Sequence, residues 1–391
     1  MITQPDSNYF SFPKLRWTVC HLREFLPTEV ISRGIGAPKP LSYPAPVEFA
    51  DLRQQIDALS FMPIGAGEAM TWEQSLYANY TDGILILHNG EVVYERYFGC
   101  LEEDKKHAIM SMTKSVTGLL AQILVAEGQL DDSLLVRDVI PEIGESAFAG
   151  ATVREVMDMT TGVRYSEDYS DPEADIWKYS AAASPLPKPE GYAGPNGYWE
   201  YLQQVEPDGE HGEAFHYKTI NSDMLGWIVS RVSGKSVTEL ASERLWRPMG
   251  AEQDAYQTVD AKGVPFAGGG ITAGLRDLGR LGQVVLNGGE VDGQRLFPAE
   301  VVEAIRAGGD PEKFGGFPTI PDGSYTSQWW VFHNAHGAFA ARGVHGQTIY
   351  VDPTAEMVLV RLASYPRAQN GLIDPTSLPA YQAVAEFLMA R

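Results

Sequence analysis

Between residues 84 and 128 the hydrophobic period of the chain changes once, from that of strands to that of a helix. Ile84 to His88 and Glu91 to Tyr97 are β-forming runs flanking Asn89-Gly90, a dipeptide that accepts the two positive φ values of a tight type I′ turn. Two antiparallel strands are expected there. From Ser111 onward Val116, Leu119, Leu120, Ile123 and Leu124 recur at the spacing of one helical face, and Gly128 is suited to end that helix. Thr152 with Glu155, and Ser236 with Glu239, form capping-box patterns at the start of apolar-periodic segments, so the middle third reads as mainly helical. Residues 165 to 212, rich in Pro, Gly, Tyr and acidic residues, read as an elaborated loop region over a site. Strand signals return at Tyr325 to His333, Ala338 to Val344, Thr348 to Val351 and Glu356 to Leu362, and a helix over Leu378 to Leu388 closes the chain. Residues 1 to about 75 show no period and are expected to wrap across a core built later.

This order predicts a two-lobe α+β or α/β fold. An antiparallel sheet flanked by helices takes residues 1–110 and 270–391, and residues 111–269 form an inserted, mainly helical lobe with the Ser111 helix at the interface. A chain of 391 residues is long enough for two such lobes.

Charge narrows the partners. A formal net charge of −21 repels phosphate backbones and anionic headgroups, so neither nucleic acid nor a membrane surface is an expected partner. The longest apolar stretch, residues 118–126, falls far short of the roughly 20 residues of a membrane-spanning helix. Met1 to Trp17 lack the basic end and apolar run of an export signal. Cys20 and Cys100, the only cysteines, are too few for a disulfide framework, and a reducing cytoplasm fits best. Oligomeric state is not encoded in any motif, and a homodimer stays open.

Ser111-Met112-Thr113-Lys114 is a Ser-x-x-Lys pattern, and on a helix residues three apart share a face. The spacing alone arises about once by chance in a chain this long. Ser11-Phe12-Pro13-Lys14 is such a match, set aside because Pro13 and the absence of a helix period disfavour a shared helical face. Ser111 differs in opening an amphipathic helix, where main-chain N–H groups and the helix dipole favour a developing oxyanion. A lysine accepts the serine proton only if burial or neighbouring positive charge lowers its pKa. The plainer alternative makes Ser111 a capping hydroxyl and Lys114 a solvated side chain.

Residues 107–141, HAIMSMTKSVTGLLAQILVAEGQLDDSLLVRDVIP, resemble the active-serine segment of the penicillin-recognising serine hydrolases, the class C β-lactamase fold family. TVREVMDMTTGV at 152–163, FHYKTINSDMLG at 215–226, FAGGGITAGLRDLGRLG at 266–282 and residues 324–353 are similar to its later blocks. PDGSYTSQWW at 321–330, VHGQTIYVDP at 344–353 and EDYSDPEAD at 167–175 resemble the 6-aminohexanoate-dimer hydrolases and their carboxylesterase relatives within it. The resemblance implies a serine β-lactamase-like fold with Ser111 as nucleophile, Lys114 as its base and Tyr217 as the second proton carrier. It implies oxyanion donors at the N–H groups of Ser111 and Val344, and a substrate contact at Tyr169. His345 stands as a further counterpart of the family's third motif, or as a structural histidine in a turn. Tyr217-Lys218-Thr219 replaces the family's Tyr-x-Asn, and Arg342 to Gln347 replaces its Lys-Thr-Gly, both of which lower a β-lactamase reading.

Other motifs carry less. Gly268 to Ala273 fits Gly-x-Gly-x-x-Ala without a preceding crossover strand, so a tight turn behind the cleft is expected. His333 and His336 lie outside any His-Glu-x-x-His pattern, and no cofactor or metal is expected. The expected activity is hydrolysis of a small-molecule linear amide or ester. A β-lactamase or D-Ala-D-Ala peptidase of the same fold is the alternative, ahead of a non-catalytic binding or sensor protein.

Overall fold

The computed structural model describes residues 8–188, 190–315 and 317–391. After short helices at Leu15–Thr18 and Leu22–Glu24 come strand β1 (Thr28–Ile31) and helix α1 (Pro46–Asp57). The segment expected only to wrap across the core therefore supplies elements of its own, and residues 1–7 of it lie outside the described residues. Its period was invisible because α1 buries only Leu52 and Ile56, a single i, i+4 pair.

The hairpin is β2 (Thr81–His88) and β3 (Glu91–Tyr97), closed by Asn89 at φ 51° and Gly90 at φ 81°. Strand β4 (His107–Ala108) follows and delivers the chain to helix α2 (Met112–Ala126), with Gly128 at φ 68° just beyond its end. The capping boxes at Thr152 and Ser236 are both formed. Residues 165–212 are not all loop: they hold helix α3 (Asp175–Ala183) and a short helix at Tyr198–Leu202, whose apolar faces are mainly aromatic and alanine rather than aliphatic. Helix α4 (Thr219–Ser233), strands β5 (Ala255–Thr258) and β6 (Ile271–Ala273), and helix α5 (Leu275–Leu286) come next. The later strands of the main sheet are β7 (Ser324–Thr326), β8 (Trp329–Val331), β9 (Phe339–Gly343), β10 (Gln347–Asp352) and β11 (Met357–Ala363). Helix α6 (Asp374–Met389) begins four residues earlier than its apolar pattern, with a proline in its first turn.

The main sheet has the order β7-β8-β9-β10-β11-β2-β3 and is antiparallel throughout. Strand β2, from the early part of the chain, pairs with β11, from its end. Side chains alternate across β2: Leu85 and Leu87 face a core shared with α2, α4 and α5, while Ile84 and Ile86 face one shared with α1 and α6. Both faces are covered, which explains why the strand reads as an unbroken apolar run. A second sheet, β1-β5-β6-β4, carries His107 and Ala108 on its edge and so fixes the approach to Ser111.

Two expectations need correction. The stretch 325–333, read as one strand, is a hairpin turning at Ser327 (φ 47°) and Gln328 (φ 64°). No Gly, Asn or Asp announces that turn, because distant residues hold it. The Gln328 amide donates to the Val156 and Met157 carbonyls and accepts from Ser222, and Ser327 Oγ bonds Gln122. Cys20 and Cys100, expected as separate thiols, form a disulfide across 80 residues. Among the described residues no helix is long and apolar enough to cross a membrane.

Candidate active site

Ser111 occupies the N-cap position of α2, yet its side chain caps no helical N–H. Its hydroxyl meets Lys114 instead: Nζ donates to Ser111 Oγ at 3.1 Å. The spacing in sequence thus becomes contact in space, one helical turn apart. Met110, immediately before, holds φ 48°, a left-handed conformation that costs a non-glycine residue free energy and marks a constrained turn into the helix. By contrast Ser11 and Lys14, the discarded match, are exposed.

Lys114 is 1% exposed. Burial lowers its pKa, opposed by the negative charges of Glu167 and Asp223. Its Nζ also donates to the carbonyl of Gly268. The glycine run expected behind the cleft therefore forms part of its wall, and the run contributes a carbonyl rather than a phosphate cradle.

Tyr217 precedes α4, and its phenol lies near enough to the Ser111 side chain to be influenced by it. Its ring lies 5.3 Å from Lys114 Nζ and stacks on Trp330 at 5.6 Å. Burial first, then the charge of Glu167, push the phenol well above its ordinary pKa, while the nearby Ser111 hydroxyl and Arg342 pull the other way. A hydroxyl, an amine and a phenol thus converge on one point between the helical elements and the sheet.

Strand β9 completes the wall. A Cβ added at Gly343 would come within 3.0 Å of Ser111 N and 2.7 Å of the Ile109 carbonyl, so only glycine lets this strand approach so closely. Val344 follows at the strand end, half-buried against Ala108, Met110 and the N-terminal residues Leu15, Val19 and Leu22. Neither Ser111 N–H nor Val344 N–H donates to a main-chain carbonyl among the described residues. His345 is not brought to this group. It sits at φ 65° with Nδ1 2.7 Å from the Tyr365 carbonyl, and its main chain also bonds Tyr365 and Ala368. Tyr169 is half-buried, its hydroxyl donating to Glu167 at 2.8 Å and its ring edge-on to Trp177. His333 and His336 go to separate partners, Ser324 and Asp352.

Glu167 and Asp223 were missed as individual site residues. Glu167 accepts from the N–H and hydroxyl of Thr219, which stands where the family pattern has asparagine, while Lys218 turns away to the Val163 carbonyl. Asp223 follows Asn221 and Ser222 in α4, so its polar neighbours gave no local signal that singled it out.

A sequence profile described as Beta-lactamase matches residues 74–377. The chain belongs to the beta-lactamase family. This membership makes it a serine hydrolase. Its relatives in the beta-lactamase family include the 6-aminohexanoate-dimer hydrolase of Paenarthrobacter ureafaciens, 36% identical over 357 residues, covering 90% of this chain and 86% of the relative. A solved Bacillus anthracis structure, provisionally named a 6-aminohexanoate-dimer hydrolase, superposes with a TM-score of 0.84 at 30% identity over 99% of each chain. A penicillin-binding protein homologue from Caulobacter crescentus, 17% identical with a TM-score of 0.62 over 89% of this chain and all of the other, shares the fold.

Proposed function

We propose that this chain hydrolyses linear amides of the 6-aminohexanoate-dimer kind, and small carboxylic esters, through an acyl-enzyme on Ser111. One observation carries the reading: the buried Lys114 amine lies 3.1 Å from Ser111 Oγ, with the Tyr217 ring 5.3 Å from the same amine. Lys114, its pKa lowered by burial, takes the hydroxyl proton as Oγ adds to the carbonyl carbon. The N–H groups of Ser111 and Val344 receive the oxyanion. Tyr217, kept protonated by its raised pKa, gives its proton to the departing nitrogen or oxygen as that bond breaks. The phenolate then takes a proton from water, which adds to the acyl carbon, and the Lys114 ammonium returns its proton to Oγ as the acid leaves. The Tyr169 hydroxyl, which donates to Glu167, is the group proposed to bond a substrate amide.

The substrate is a small molecule, with neither nucleic acid nor membrane as partner, and a homodimer is compatible with the reading. The alternative is a β-lactamase or D-Ala-D-Ala peptidase, favoured by the family's name and opposed by Thr219 and the Gly343-Val344-His345 strand end. The cytoplasm is the proposed compartment on cysteine scarcity, the Cys20–Cys100 disulfide argues against it, and the redox state of the pair in cells decides between them.

The test is a substrate panel read beside labelling. A fluorophosphonate should label Ser111, located by peptide mass mapping, and turnover of short acyl esters or the 6-aminohexanoate dimer should stop once it does. Active protein without label at Ser111 refutes the acyl-enzyme, and nitrocefin turnover exceeding that of the dimer and esters moves the assignment to the alternative.

A further inference from the structure

A second carboxylate stands behind the lysine. Asp223 lies one turn into α4 and is fully enclosed. Its Oδ2 accepts the Tyr179 hydroxyl of α3 at 2.6 Å, and its Oδ1 accepts the Gly268 N–H at 3.2 Å. Gly268 in turn presents its carbonyl to Lys114 Nζ. The same loop is pinned from the side of α2, where Thr117 Oγ1 donates to the Ala267 carbonyl at 3.1 Å and Thr113 Oγ1 accepts from the Ile271 N–H at 3.1 Å. Gly268 has no room to shift, since a Cβ there would meet Thr219 Cγ2 at 2.5 Å and Asp223 Oδ2 at 3.1 Å. A continuous line of hydrogen bonds runs from the Asp223 carboxylate through Gly268 and Lys114 to Ser111 Oγ.

We propose that Asp223 is a positioning residue for Lys114: through the Gly268 main chain it seats the amine against Ser111, and its carboxylate is the buried counter-charge for the ammonium that forms when the serine proton arrives. The inference rests on the reading of Lys114 as base. Without a neighbouring carboxylate, a lysine enclosed as this one is would gain a proton against the full penalty of desolvation. Glu167, Tyr217 and Ser111 are the other polar groups facing Lys114, and Glu167 alone among them adds negative charge. Tyr165, Tyr179 and Tyr198 surround Asp223, and Lys114 is a cation bearing on it. Burial raises the Asp223 pKa to about 7 and lowers that of Lys114, so the two groups shift toward each other.

The test compares Asp223→Asn with Lys114→Ala and Gly268→Ala, each checked for native circular dichroism. Asp223→Asn is expected to lower kcat at least tenfold with KM within twofold. It should also move the acid limb of kcat/KM to lower pH, because removing a negative charge lowers the pKa of Lys114. Gly268→Ala keeps the charge but displaces the carbonyl, so it should lower kcat with KM within twofold, and it carries the test if Asp223→Asn does not fold. Wild-type kcat in Gly268→Ala, or wild-type kcat and pH profile in folded Asp223→Asn, overturns the proposal provided Lys114→Ala is inactive. An active Lys114→Ala overturns the reading beneath it.

Discussion

Lys114 and Tyr217 illustrate how one enclosure serves two opposite ends. Burial disfavours charge, so it lowers the pKa of an amine and raises that of a phenol. The amine becomes easier to deprotonate than an exposed lysine, while the phenol keeps its proton until the leaving group takes it. The sign of the pH dependence follows: kcat/KM should rise with pH as Lys114 loses its proton, and Tyr217 should add no alkaline limb below the ordinary range of a phenol. Tyr217→Phe is expected to cost ~10²–10⁴-fold in kcat, the usual size of a general acid–base contribution, while leaving the rising limb in place. Steady-state kinetics from acid to mildly alkaline pH check both statements, and a limb that moves with Tyr217→Phe would assign it to the wrong residue.

At the scale of elements, the active-serine helix is positioned by contacts it makes along its whole length. Ser115 Oγ donates to the Gln328 carbonyl at 2.7 Å, and Trp329 Nε1 donates back to the Ser115 carbonyl at 3.1 Å. One turn on, the helix passes the Ser327-Gln328 turn so closely that a Cβ on Gly118 would stand 2.0 Å from the Ser327 carbonyl oxygen. Neither side yields, because the turn is tied to Met157, Ser222 and Gln122. Gly118→Ala should therefore destabilise the protein by ~1–3 kcal/mol, the range of an overpacked interior, and lower activity by tilting α2 against β8. Chemical denaturation with a parallel esterase assay measures the two together, and a variant as stable and active as wild type would show that the turn relaxes freely.

Over the whole molecule, the N-terminal residues act on the site from outside. Leu15, Val19 and Leu22 pack with Val344, one proposed oxyanion donor, and with Ala108 and Met110, which lead to the other at Ser111, and Cys20 fastens this segment to Cys100 in the connection leading toward Ser111. A bridge spanning 80 residues constrains the unfolded chain by ~4 kcal/mol in the loop-entropy account. Reduction, or Cys20→Ser, should thus lower the denaturation midpoint and reduce activity before global unfolding. Thermal scans and assays with and without reductant test this, and unchanged behaviour with both thiols alkylated would show that packing alone holds the segment.

What the sequence determined by itself is whatever is local. The Asn89-Gly90 turn, the apolar face of α2, the capping boxes at Thr152 and Ser236 and the i, i+3 pairing of Ser111 with Lys114 all depend on residues within a turn or two of each other. The resemblance added Tyr217, which no period would single out from the other tyrosines. Tertiary structure decided the rest. It placed Gly268 against Lys114 and Asp223 behind it, sent His345 to Tyr365, folded residues 324–331 into a hairpin and joined Cys20 to Cys100. Those outcomes rest on hydrogen bonds and contacts between residues tens to hundreds of positions apart, and no spacing along the chain records which buried donor meets which acceptor.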